Sequence, residues 1–302
     1  MKSLVLCLSV LAAASSASAG ILPEIKNEIE VVQPVLSAVP LESKKRVVVF
    51  DIDDTLSISA YRSKAIFREI GKERAIPQLE NIEIGQIGQT CRATLDNAGV
   101  TEKPVVNSIC SMPNGIWARR FFKDPKYLKF DGRVKGGADM VQRLVQQTGA
   151  DVVFLTERPE ALREATEHQL ARLAMPGFNG DKYPGVEFRV VMRPEGRDTE
   201  GDAAQWKASV IESMLGDFIV AGVFDDSISA VNAIRRVLPS QVPVVRLAQN
   251  VNDTAGVDMG VEQITDYTRN MVADSQTGQM FALPNKRYIN SLVTRIQQVD
   301  EY

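Results

Sequence analysis

The chain has 302 residues, 44% of them apolar and 24% charged, with a formal net charge of −3. Those values describe an ordinary globular chain of one large domain or two. They exclude the basic footprint of a nucleic-acid binder, and no long run of Lys and Arg occurs.

The first nineteen residues differ from the rest. Lys2 precedes an apolar stretch from Leu4 to Ala14, and Ala17-Ser18-Ala19 forms a small-residue cleavage pattern. Too short to span a bilayer as a helix, residues 1–19 read as a secretory signal peptide. The mature chain is then expected in the periplasm or outside the cell, with no membrane attachment after cleavage. Cys7 leaves with that segment, so Cys91 and Cys110 remain as an even pair. In an exported chain such a pair suggests one disulfide, with two buried free thiols as the alternative. Residues 20–45 place Ile21, Ile25, Ile29 and Val32 near helical spacing before Pro34 interrupts, the pattern of a helix packed on a core.

Arg46-Val47-Val48-Val49-Phe50 then runs into Asp51-Ile52-Asp53-Asp54-Thr55-Leu56. The apolar run predicts a strand buried on both faces of a parallel sheet, and the acids fall just past its carboxyl end, where open α/β sheets bind ligands. Two acids aimed at one point repel each other unless a cation, a phosphate or a shared proton intervenes. A helix is predicted over 57–74. Residues 77–126 show no clear period and contain both remaining cysteines. Rhythm resumes with a helix over 138–147, a strand over 151–156 and a helix over 159–173. A strand over 187–192, a helix over 203–215, a strand over 218–224, a helix over 227–237 and a final strand over 242–247 follow. A tail over 249–302 ends in a helix over 286–299. The alternation predicts an α/β fold, a three-layer Rossmann-like parallel sheet. Its core comprises 20–76 and 127–302, with 77–126 inserted.

Three further positions bring polar groups to the same sheet edge. Thr156 closes the strand DVVFLT, Lys207 lies at the start of the helix before strand 218–224, and that strand runs into Asp225-Asp226. Acid pair, hydroxyl, lysine and second acid pair, in that order over residues 47–226, resemble the motifs of the haloacid dehalogenase-like (HAD) hydrolase superfamily. With the leader, the resemblance is to a secreted or periplasmic acid-phosphatase-like member. DIDDTL is the most specific of the four motifs, while Thr156 and Lys207 gain weight from order and spacing. The resemblance implies Mg²⁺ held by Asp51, Asp225 and Asp226, with the Ile52–Asp53 segment offering a backbone carbonyl. It implies Asp51 as the nucleophile that becomes an aspartyl-phosphate, and Asp53 as general acid and then base. Thr156 and Lys207 would bind the phosphoryl oxygens, Lys207 also offsetting the nucleophile's charge.

An aspartate at position 53 favours phosphate over halide chemistry, because a leaving oxygen needs a proton. Asp54 stands where the family more often has glycine and reads as a solvated turn residue or a supporting hydrogen-bond acceptor. Arg158 either meets a substrate phosphate or ribose, or pairs with a carboxylate near the helix start. Arg193 and Arg197 compete with Lys207 for its role. His168, the only histidine, reads as a surface residue.

Residues 77–126 stand where such enzymes carry a cap that excludes water and selects the leaving group. Trp117, Arg119, Arg120, Phe121 and Phe122 either meet the substrate or form the cap's own small core. The expected partner is a small phosphorylated substrate of unspecified kind, with no nucleic acid. Rival readings are a phosphomutase or phosphotransferase using the same motifs, and a non-catalytic binding protein that retains the fold. Retention of so many mutually repelling carboxylates favours catalysis.

Overall fold

The computed structural model describes residues 44–195, 200–248, 256–265, 267, 270–273, 280–283 and 285–299. The expected signal peptide and lead-in helix lie outside the described residues. In chain order the structure begins with β1 (Lys45–Phe50), β2 (Ser57–Ile58) and α1 (Ala60–Arg74). The insertion follows as α2 (Pro77–Glu80), α3 (Cys91–Asn97), α4 (Lys103–Cys110) and α5 (Ile116–Lys123). Next come β3 (Gly132–Arg133), α6 (Gly137–Thr148), β4 (Asp151–Pro159), α7 (Arg163–Arg172), β5 (Phe188–Arg193) and α8 (Glu200–Met214). The chain continues through β6 (Phe218–Asp225), α9 (Ile228–Val237), β7 (Val244–Leu247), β8 (Val261–Ile264), β9 (Asn270–Ala273), β10 (Met280–Leu283) and α10 (Asn285–Gln298).

The main sheet has the order β10-β9-β8-β7-β6-β1-β4-β5. From β8 through β5 the six strands run parallel, and β9 and β10 add an antiparallel edge. Helices cover both faces, giving the three-layer Rossmann-like α/β fold that the alternation predicts. Val47 to Phe50 are all buried, which explains why β1 occupies the centre: a run apolar on both faces needs cover above and below. Phe50 stacks on Phe224 of β6 at 4.4 Å between ring centroids. Helix α6 stops at Gly149, whose φ of 65° lets its N–H reach the Val145 carbonyl at 2.9 Å.

Three expectations fail. The helix predicted from Pro159 begins at Arg163, because β4 runs on to Pro159. Strand 242–247 is not the last, because β8, β9 and β10 follow it; at four residues each they carry too little alternation to stand out. The helix predicted from Ser57 begins at Ala60, since Ser57–Ile58 pairs antiparallel with Gly132–Arg133. The preceding loop turns sharply: the Ile52 carbonyl accepts from the backbone N–H groups of Leu56 and Ser57, both at 2.9 Å, and from Ser57 Oγ at 3.2 Å. The β2–β3 ladder therefore joins the two crossings into and out of the insertion.

The insertion is helical, and it builds a second, smaller apolar cluster on Ile66, Phe67 and Ile70 of α1. Cys91 and Cys110 form a disulfide between the start of α3 and the end of α4, with Cα atoms 5.6 Å apart. Among the described residues, no helix is long and apolar enough to cross a membrane.

Candidate active site

Register between the two central strands creates the site. Phe50 lies opposite Phe224, and the Asp51 N–H donates to the Phe224 carbonyl at 2.8 Å, so Asp51 and Asp225 emerge side by side. With Asp226 they form a group whose carboxylate oxygens, one from each, lie within 4.8 Å of one another. Lys207 sits two turns into α8 and not at its start, aimed back at this edge. Its Nζ donates to Asp51 Oδ1 at 2.8 Å and to Asp225 Oδ2 at 2.7 Å.

Burial pushes the Asp51 carboxyl well above the usual carboxylate range; Lys207 opposes that rise, while Asp225 and Asp53 add to it. Burial likewise raises Asp226, with Asp225 and Asp51 contributing. Burial works against the Lys207 charge, yet Asp225, Asp51 and Glu157 hold its ammonium well above the ordinary lysine value. One ammonium bonds two of the three acids, and their mutual repulsion, which raises Asp51 and Asp226, leaves residual negative charge for a cation to relieve. A hard oxygen donor set with that residual charge fits a divalent cation such as Mg²⁺.

Asp53 points elsewhere and is not part of that acidic group. Arg158 grips it with a fork, Nε to Oδ2 at 2.8 Å and Nη2 to Oδ1 at 2.7 Å, and Arg62 Nη2 also donates to Oδ1. Burial opposes its charge, but Arg158 and then Arg62 hold the Asp53 carboxyl well below the usual range. A mirrored fork joins Arg62 to the buried Asp131, with Nε to Oδ1 at 2.9 Å. Gln169 bridges the two forks by donating to Asp131 and accepting from Arg158.

This arrangement revises the options open for Arg158. Its guanidinium is buried and bonded to Asp53, Thr166 and Gln169, so it pairs with a carboxylate of the protein, while the residue also lines the cavity over the site. The planar fork matches carboxylate geometry and explains the preference. Both Asp53 carboxylate oxygens are engaged by the arginines, and the side chain lies outside the acidic group of Asp51, Asp225 and Asp226.

Thr156 is buried, and its Oγ1 accepts from the Arg158 N–H at 3.3 Å. Strand β4 runs on past it, with a register shift between Thr156 and Pro159. Asp54 is no solvated turn residue. Its φ of 56° is the left-handed conformation that explains why glycine suits the position, and its carboxylate accepts from the Ser59 N–H at 2.9 Å and Oγ at 2.6 Å. Arg193 ends β5, whereas Lys207 is the cation on Asp51; Arg197 lies outside the described residues. His168 is exposed, as expected.

A cavity of about 780 Å³ opens over these groups, lined by Asp51, Asp53, Thr156 and Lys207 and by Trp117, Phe121 and Phe122 of the insertion. Trp117 and Phe121 pack on the insertion's apolar cluster, the core role expected of them, and with Phe122 they also line the cavity. Arg120 is turned to Glu73 at 2.7 Å. Sequence reasoning missed Arg62, Asp131 and Gln169, which carry no motif. It also missed Tyr267, buried beside Phe224 with its ring centroid 6.4 Å away; burial, then Asp51 and Asp226, push the phenol well above its ordinary value.

No protein-family model matches the chain, and no curated protein does. Several solved structures are similar in part. The haloacid dehalogenase-like family hydrolase SP0104 from Streptococcus pneumoniae shares 14% identity, covering 68% of this chain and 85% of that one at a TM-score of 0.42. Magnesium-bound YfnB from Bacillus subtilis shares 15%, covering 71% and 91% at 0.44. A predicted phosphatase from Clostridium acetobutylicum shares 14%, covering 68% and 85% at 0.38. At these identities and TM-scores the likeness assigns neither a family nor an activity, and the reading of the site rests on the residues themselves.

Proposed function

We propose that the chain is a Mg²⁺-dependent phosphomonoester hydrolase of the HAD type, working through an aspartyl-phosphate on Asp51, and that residues 77–126 are its cap. The observation that carries this reading is the junction of Asp51, Asp225 and Asp226 with the Lys207 ammonium at the carboxyl edge of the sheet. Bound to the three carboxylates, the ion would neutralise phosphate charge that otherwise repels an anionic nucleophile.

Asp51 has one oxygen on Lys207, which orients the carboxylate while the other oxygen faces phosphorus. Attack forms the Asp51–phosphorus bond as the ester oxygen leaves. Thr156 and Lys207 line the same cavity, from which a hydroxyl and an ammonium would stabilise the equatorial phosphoryl oxygens. Asp53 protonates the departing alkoxide and later takes a proton from the attacking water. In the resting arrangement it is ionised and held by Arg158 and Arg62, the form suited to the second step. Serving the first step requires a shift in its arginine contacts. Export to the periplasm or beyond belongs to the same proposal and rests on the sequence of residues 1–19.

Release of phosphate from p-nitrophenyl phosphate, measured with Mg²⁺ and after chelation, tests the reading. Turnover is expected only with the metal, and Asp51→Asn is expected to abolish it. Turnover that survives Asp51→Asn, or none in the wild type, would sink it.

A further inference from the structure

The two arginines on Asp53 come from different parts of the fold. Arg158 belongs to the end of β4, within the sheet. Arg62 lies in the first turn of α1, the helix that leads into the insertion, and is 1% exposed. Beyond its fork to Asp131 and its bond to Asp53, it donates from Nη1 to the Phe121 carbonyl at 3.3 Å. Its guanidinium also lies 4.3 Å from the centroid of the Phe121 ring. Phe121 stacks on Trp117 at 4.6 Å, and Phe122 meets both edge-on. These three rings form the aromatic part of the insertion's lining of the cavity. A continuous set of contacts therefore leads from that wall, through Arg62, to Asp53.

We propose that Arg62 is a positioning residue: when the arginine contacts of Asp53 shift for proton donation, Arg62 aims that carboxyl according to how the Trp117–Phe121 wall is packed, so that a leaving group seated on the wall meets a correctly directed proton donor. The proposal rests on the phosphomonoesterase reading of the site. Only arginine can do this from position 62. Its planar fork binds Asp131 with two N–H groups, its remaining hydrogens reach Asp53 and Phe121, and its face stacks on a ring. A lysine offers neither the fork nor the stacking plane. A pair kept for stability alone would need no partner facing the cavity, since buried ion pairs stabilise weakly against their desolvation. Asp53, with a side chain 26% exposed, is such a partner.

Steady-state kinetics with two esters test this, using Mg²⁺-saturated wild type, R62Q, R62K and F121L. p-Nitrophenyl phosphate releases a phenolate that needs little protonation, whereas glycerol 2-phosphate releases an alkoxide that needs a proton. R62Q and R62K are expected to lose kcat on the order of 10²-fold with glycerol 2-phosphate and less than about tenfold with p-nitrophenyl phosphate, KM changing little. F121L keeps every charge and is expected to show the same bias in smaller measure. Equal losses on both esters, or no loss, would make Arg62 a structural residue and overturn the proposal. Should R62Q and R62K melt early, F121L decides: unbiased kinetics there overturn it. A wild type inert toward both esters with Mg²⁺ overturns the function, and this proposal with it; a wild type that turns over leaves the function standing whatever the variants do.

Discussion

Asp54 shows how one residue can serve both backbone and side chain at a site. Its left-handed φ of 56° costs a residue with a Cβ about 1 kcal/mol or more. The two hydrogen bonds from Ser59 offset that cost. Asp54→Gly removes the bonds and the strain together, whereas Asp54→Ala removes the bonds and keeps the strain. The Ala variant is therefore expected to be less stable than the Gly variant by about 1 kcal/mol, read from urea midpoints. Equal midpoints would show that the loop does not hold position 54 in this conformation. At this scale the sequence was legible where acids follow an apolar run: Asp51, Asp53, Asp225 and Asp226 announce a sheet-edge site by type and place. Arg62 and Asp131 were not legible. They stand 69 residues apart, one inside a helix and one in a loop, and either residue alone reads as a solvated charge.

At the level of elements, sequence and structure agree best where burial is two-sided. β1, β4, β5 and β6 are near-continuous apolar runs because helices cover them above and below. The insertion was unreadable for the opposite reason. Its longer helices have seven or eight residues, two turns at most, so the helical period barely repeats. Helices this short are marginal alone, and the Cys91–Cys110 bond supplies what periodicity does not. Closing a loop with a sequence separation of 19 stabilises by about 3 kcal/mol in the chain-entropy model. The Cys91→Ser, Cys110→Ser double variant is expected to lose about 2–4 kcal/mol, concentrated in α3 and α4. Calorimetry with and without reductant checks this on the wild type as well. Indifference to both treatments would mean that the helical packing alone holds the insertion.

Across the whole molecule, the described residues form two apolar clusters of very different size. The larger is built on the main sheet and its covering helices, and the smaller on α1 and the insertion. The cavity lies where they face each other, with the β2–β3 ladder and the Arg62–Asp131–Arg158 ion network as their junction. A small cluster buries less apolar surface per ordered residue, so it opens at lower free energy than a large one. Native-state hydrogen exchange is therefore expected to show amides of α3, α4 and α5 exchanging about tenfold or more faster than those of β1, β4 and β6, through openings that leave the sheet intact. Asp131→Asn leaves two buried arginines facing Asp53 alone, and should weaken the junction. The insertion's exchange should then rise further while that of β1 stays close to the wild-type rate. If protection in the insertion and the sheet falls together in that variant, the two clusters unfold as one cooperative unit, and the insertion cannot move over the site without the sheet opening with it.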